Sequence, residues 1–174
     1  MAKDKSSEKP TVLVTGSSGF VGKVLIRALV KAGHPVVAIY HERLPEHLDG
    51  VYPVCSDMAS PELLSAPLRG VHTVLHLAWQ GGLGGSKEKL DAQATPKNVL
   101  MTQNLLRAME KTGTQRIVFL SAMGASRQSQ IDFLLEKYMA EFFVFNSQVS
   151  EKIVVRSCSL WDEAENSFVE AAKH

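Results

Sequence analysis

The chain has 174 residues, long enough for one domain with its own core. With 45% hydrophobic and 21% charged residues and a formal net charge of +1, it carries no broad basic field of the kind that holds nucleic acid or anionic lipid. Cys55 and Cys158 are too few and too far apart for a disulfide framework or a zinc site, and no apolar run approaches the roughly 18 residues of a membrane span.

The start, MAKDKSSEKP, is polar and lacks the apolar segment of a secretory signal. It reads as a frayed tail over 1–10, ahead of a single domain over 11–174. TVLVTG (11–16) is a continuous apolar run of β type. In FVGKVLIRALVKAGH, which follows, Val21, Val24, Leu25, Ala28 and Leu29 form a helical stripe and Gly33 supplies the stop. PVVAIY (35–40) and VYPVC (51–55) are the next two strands. SPELLSAPLRG predicts a short helix capped by Ser60 with Pro61 in its first position. TVLHLAW (73–79) is a fourth strand. A helix over 96–113 carries Val99, Thr102, Leu105 and Leu106 on one side. RIVFLSA (116–122), a helix around 131–148 and KIVVRSCSL (152–160) complete the series. Both cysteines fall at strand ends and are expected as buried free thiols. Together these features predict a cytoplasmic protein with no metal site, no nucleic-acid partner and no membrane partner.

Strands that are apolar throughout are expected to be buried on both faces, which implies a parallel sheet covered by helices. Right-handed crossovers then give an α/β fold, a three-layer doubly wound sheet of Rossmann type with ligands at the carboxyl ends of its strands. QGGLGGSKEKLDAQATP (80–96), with four glycines, is expected as a mobile loop at that ligand-binding end, with a plain flexible connection as its competitor. VTGSSGFVG sets Gly16, Gly19 and Gly22 between a strand and a helix. A pyrophosphate must approach such a backbone closely, and the helix N-terminus offers it unpaired N–H groups. The strand before, the helix after and the further strands supply the context that three glycines alone would lack. Ser17, Ser18, Phe20 and Val21 complete this candidate cradle.

The spacing Gly-x-x-Gly-x-x-Gly resembles the extended and atypical branches of the short-chain dehydrogenase/reductase superfamily, the NAD-dependent epimerase/dehydratase type. CSDM (55–58), VLHLAW, NVLMT (98–102), RIVFLSAMGAS and VVRSCSLW continue the resemblance along nearly the whole chain, although Ser157 stands where that family usually has proline. The resemblance implies that Asp57, beside Met58, meets the adenine amino group, that Leu77 and Ala78, followed by Trp79, line the cofactor, and that Asn98 is the family's helix asparagine. At the tip of the second strand, IYHER, Tyr40 takes the register position of the family's usual acid. Glu42 is close enough to substitute for that acid, Arg43 could hold a 2′-phosphate, and His41 reads as an exposed bystander. The implied cofactor is NAD or NADP, with a slight lean to NADP because no acid is in register.

In the resembled family a Tyr-x-x-x-Lys pair shares one helix face, since a spacing of four stacks side chains. The lysine binds the nicotinamide ribose and lowers the tyrosine pKa, and a strand-end serine orients the substrate oxygen. In IDFLLEKYMAE, Lys137 aligns with the lysine and Phe133 with the tyrosine. Tyr138 lies about 100° round the helix from Lys137. Ala122 aligns best with the serine, leaving Ser121 and Ser126 as weak candidates. A plain packing helix is the alternative: Leu134, Tyr138, Phe142 and Phe145 buried, Lys137 and Glu141 an exposed pair. SAMGAS followed by a lysine helix also resembles the accessory subunit of respiratory complex I, in which dinucleotide binding serves structure or sensing. Extended members place a substrate region after the sixth strand, and DEAENSFVEAAKH leaves room for one helix, so that region is expected to be largely absent unless a partner subunit or homo-oligomer supplies it, with a natural short form, a decayed gene product and a truncation as open alternatives. Two readings follow: a dinucleotide-binding protein with little redox activity, or an active oxidoreductase or epimerase using Ser126, Tyr138 or water as a substitute acid on an unknown small substrate.

Overall fold

A computed structural model describes residues 9–81, 95–158 and 160. Most of the expected N-terminal tail, the middle of the glycine-rich stretch 80–96 and the expected helix after residue 161 lie outside the described residues. The chain runs β1 (Val12–Thr15), α1 (Phe20–Lys31), β2 (Val36–Tyr40), β3 (Val51–Cys55), a 3₁₀ turn (Pro61–Leu63), β4 (Thr73–His76), α2 (Lys97–Thr112), β5 (Arg116–Ala122), α3 (Asp132–Asn146) and β6 (Glu151–Ser157). All six strands are parallel, in the order β3-β2-β1-β4-β5-β6. The order reverses between β1 and β4, so the doubly wound Rossmann arrangement has its switch point there.

Alternation along the strands sorts the two faces. On one, Val12, Val14, Val36 and Ala38 pack under Ile26 of α1. On the other, Leu13, Val74, Ile117 and Phe119 pack with Leu105 and Met109 of α2 and Ala140 and Val144 of α3. Val99, Thr102, Leu105 and Leu106 are all buried, as their spacing predicts. Gly33, with φ +83°, follows α1 and supports its stop.

Several expectations require correction. The buried stripe of α1 is Gly22 and Ile26, and Val24 is half exposed, because the helix is rotated to bring Gly22 against the loop before it. Burial on both faces holds for the central strands only. β3 and β6 are edges, leaving Tyr52, Ile153 and Val155 exposed. Cys55 ends an edge strand, and both it and Cys158 are exposed. The segment after Ser60 makes a single 3₁₀ turn, and the Ser60 side chain makes no cap bond. Among the described residues, no helix is long and apolar enough to cross a membrane.

Candidate functional site

The three glycines divide their labour. Gly16 has φ +68°, and a Cβ there would sit 2.8 Å from the Ala78 nitrogen. A Cβ on Gly22 would meet the Gly16 carbonyl oxygen at 2.2 Å. Both are glycine for internal reasons: one turns the chain, the other lets α1 pack against the turn. Gly19 differs. Its φ of −75° suits any residue, and a Cβ would touch only the Gly16 oxygen, at 3.2 Å. What glycine leaves open at 19 is the space in front of the loop. No side chain caps α1 and no acid occupies its first turn, so among the described residues the N–H groups of Phe20, Val21 and Gly22 have no intrahelical acceptors. That combination fits an anionic group seated on the loop. Ser17 does not join it: fully buried, its hydroxyl donates to the Ile39 carbonyl at 2.8 Å and ties the loop to β2.

In front of Gly19 opens a cavity of about 440 Å³. Of the residues singled out from sequence, Gly16, Ser18, Gly19, Tyr40, Glu42, Arg43, Asp57, Met58, Ala78 and Trp79 line it. His41, read as a bystander, is on the wall as well, with Ile39, Ser56, Gln80 and Met101. The loop after β3 is shaped from two sides. The Asp57 carboxylate accepts from the Ala59 N–H at 2.9 Å, and buried Asn104 of α2 donates to the Met58 and Ala59 carbonyls at 3.2 and 3.0 Å. Asn104 was not signalled by any motif. Leu77 is absent from the wall because alternation turns it to the α1 face. Asn98 is absent too. Its side chain accepts from the Gln80 N–H at 2.8 Å and donates to the Gln80 carbonyl and the Glu136 carboxylate, which leaves it clamping the backbone after β4.

At the switch point the strand ends are tied by a hydrogen-bonded histidine. His76 is 1% exposed, between Thr15 Oγ1 at 2.8 Å and Thr102 Oγ1 at 3.0 Å. Thr102 donates its own proton to the Asn98 carbonyl, so it accepts from His76 Nε2–H. Thr15 accepts from the N–H groups of Leu77 and Ala78 and donates to His76 Nδ1. This assignment by hydrogen-bond logic uses every proton with the ring neutral. Burial, and secondarily the charge of Lys137, push its pKa down to about 3. The network fixes the backbone of residues 77 and 78 where it brushes Gly16.

Beyond β4 the described residues enclose Lys137. Lys137 is 5% exposed and does not reach the cavity. Its ammonium donates to the Leu120 carbonyl at 2.7 Å and lies 3.7 Å from the Trp79 ring centroid, 5.0 Å from that of Phe119 and 5.7 Å from that of Phe133. Burial lowers its pKa to about 7, against the opposing pull of Glu141 and Glu136. Phe133 meets Trp79 edge-on at 6.3 Å. Tyr138 is not among the rings around the ammonium. The plain packing-helix alternative fails on burial: Lys137 and Glu141 are buried, whereas Phe142 and Phe145 are more than half exposed. Glu141 accepts from Nε and Nη2 of Arg156, at 2.9 and 2.6 Å, and from the Ser121 hydroxyl at 2.5 Å. Ser121 is therefore turned inward, away from the strand tips. Ser126 accepts from the Gln128 N–H in a local turn. Among the described residues, no group of three or more metal-binding side chains gathers.

The comparisons agree with this architecture. The model of the NAD dependent epimerase/dehydratase family matches residues 12–139. The 2-alkyl-3-oxoalkanoate reductase of Stenotrophomonas maltophilia is 34% identical over 119 residues, 68% of this chain and 35% of that protein. A 3-beta-hydroxysteroid dehydrogenase of Mycolicibacterium neoaurum is 32% identical over 117 residues, 64% of this chain and 31% of its own length. The chain thus spans about a third of these relatives. The crystal structure of the Bordetella bronchiseptica enzyme WbmG in complex with NAD has the same fold, with a TM-score of 0.72 at 17% identity, covering 97% of this chain and 61% of that one. The chain belongs to the NAD dependent epimerase/dehydratase family.

Proposed function

We propose that this family member binds a dinucleotide in front of Gly19 and has little or no redox catalysis of its own. One observation carries the second half: Phe133 stands one turn before Lys137, its ring 5.7 Å from the ammonium, and has no proton to exchange. Gly19 and the N–H groups of Phe20, Val21 and Gly22 hold the pyrophosphate. Asp57 faces the base, and Tyr40, Glu42 and Arg43 face the adenosine ribose. Tyr40 in the place of an acid, with Arg43 on the cavity wall, sets NADP slightly ahead of NAD. A bound nicotinamide would supply hydride transfer; the chain lacks the phenol that would move the accompanying proton. The 34% identity with a reductase favours a second reading, an active oxidoreductase or epimerase that recruits Ser126, Tyr138 or water.

Reduction of a simple ketone or conversion of a sugar nucleotide, followed with both cofactors, tests the reading. The unmodified chain should turn over far below the double variant Phe133→Tyr with Ala122→Ser, since general acid–base catalysis is worth about 10²–10⁴-fold. Fast turnover by the unmodified chain would sink the proposal and make Tyr138 and Ser126 the next residues to change.

A further inference from the structure

The cavity and the lysine do not meet. A doubly wound sheet has two mononucleotide-binding halves, and a dinucleotide lies across the switch point with one nucleotide on each. Here the cavity walls come from the tips of β1, β2 and β3, from Ala78–Gln80 after β4, and from Met101. Nothing from β5 or α3 contributes. On that side the Trp79 indole lies over the Lys137 ammonium at 3.7 Å, tilted against Phe119 at 6.1 Å and edge-on to Phe133 at 6.3 Å. Trp79 is at once a wall of the cavity and the cover of the lysine.

The backbone on both sides of Trp79 is pinned. The Ala78 N–H donates to Thr15, and both backbone groups of Gln80 bond the Asn98 side chain. The second half can therefore be opened by rotating the indole, at the loss of its contact with a buried cation. The first half needs no such movement, and its chemistry is complete. It has an open glycine and unpaired N–H groups for a diphosphate, the tip of β2 for a ribose, and the Asp57 carboxylate, between Met58 and Ser56, for the amino group of a base.

We infer that the resting site is a nucleoside diphosphate site, with Trp79 seated where the second nucleotide of a dinucleotide would lie. The inference rests on the reading of the Gly19 loop as a phosphate cradle. A dinucleotide then binds through its ADP half, and its nicotinamide half adds little while Trp79 stays on Lys137.

Calorimetric titration of the whole chain with ADP, NAD and NADP tests this. ADP should bind within about threefold of NAD, and Trp79→Ala should raise NAD affinity relative to ADP on the order of tenfold. A second measurement does not depend on that variant folding. In Trp161→Phe, Trp79 is the single indole of the chain, and its emission should respond alike to ADP and NAD. NAD binding more than about tenfold tighter than ADP, with an emission change that ADP does not produce, would overturn the inference and leave the dinucleotide site standing. Binding of none of the three would remove the cradle itself and the inference with it.

Discussion

The two sides of the switch point are built from the same alternation of strand and helix, and they end differently. Over β1, β2 and β3 the chain leaves the strands on glycine and short polar loops, and about 440 Å³ stays open in front of them. On the β4 and β5 side, Trp79, Phe119 and Phe133 surround the Lys137 ammonium. The open half fits a ligand; the closed half resembles a core that has kept one charge too many. A buried ammonium is a poor way to stabilise a fold, because desolvation offsets most of what its contacts return. Its pKa near 7 records that penalty. Burial of Lys137 thus sets α3 apart from a plain packing helix, in which a lysine would sit at the surface.

The sharpest division within the open half lies between two glycines three residues apart. Gly22→Ala would drive a Cβ to 2.2 Å from backbone that cannot move aside. Overpacking against backbone typically costs about 1–3 kcal/mol and more when nothing can shift, so a loss of at least about 3 kcal/mol is expected in denaturant unfolding. In Gly19→Val the Cβ meets a single atom, at 3.2 Å, and the variant should fold. It should nevertheless lose at least about tenfold in dinucleotide affinity, on the order of 1.4 kcal/mol. Equal stability losses in the two variants would erase the distinction between a glycine kept for the fold and one kept for the ligand.

The seam and the closed half should show themselves in the pH dependence of stability. His76 titrates near 3 when folded and near 6.5 when unfolded. Between those values the unfolded chain binds the extra proton, so stability falls as pH drops from about 6.5 to 3, by up to a few kcal/mol. Lys137 titrates near 7 when folded and near 10.5 when unfolded. The unfolded chain again binds the extra proton, so stability should rise with pH from about 7 to 10.5. Unfolding free energies measured across both windows should show both slopes, and Lys137→Met should flatten the upper one and narrow the lower one, because the Lys137 charge helps hold the His76 pKa down. An upper window that stays flat in the unmodified chain would mean that the ammonium is not enclosed.

The sequence made the sheet legible because its evidence is local. Apolar runs, helical spacing and glycine stops each sit within a dozen residues, and β5 falls where its run predicts. The glycine turn between β1 and α1 was legible for the same reason. The tip of β2, the loop after β3 and the first residues after β4 came from the family resemblance, and the parallel topology brings these strand ends to one rim. What could not be read depends on neighbours distant in the chain. Glu141 is buried because Arg156, from the next strand, neutralises it, and Ser121 points inward to that pair. Asn98 is spent on Gln80, and Asn104 holds a loop about 45 residues away in sequence, contacts with no local signature. Cys55 is exposed because β3 has no further neighbour. Trp79 followed a matched strand motif, yet only the packed structure places its ring on Lys137.

The smallest expected effect concerns the far edge of the open half, where Glu42 and Arg43 follow the tip of β2. Both line the cavity and both are exposed; the Glu42 side chain is 87% exposed, with His41 Nδ1 4.0 Å away. At such an edge water screens each charge, so each contributes on the order of 1 kcal/mol or less to a bound phosphate or ribose. The two should nevertheless act in opposite directions. Arg43 attracts a 2′-phosphate, whereas Glu42 repels one and can accept from free ribose hydroxyls. Arg43→Ala should therefore weaken NADP more than NAD, and Glu42→Ala should weaken NAD more than NADP, each by about two- to fivefold in the affinity ratio. The effect should shrink as salt rises from 0.05 to about 0.5 M, because the Debye length shortens over that range. Competition titrations of the two cofactors at both salt concentrations provide the check. If neither substitution shifts the ratio, the adenosine ribose does not sit at the tip of β2, and the open half must hold its ligand in another orientation.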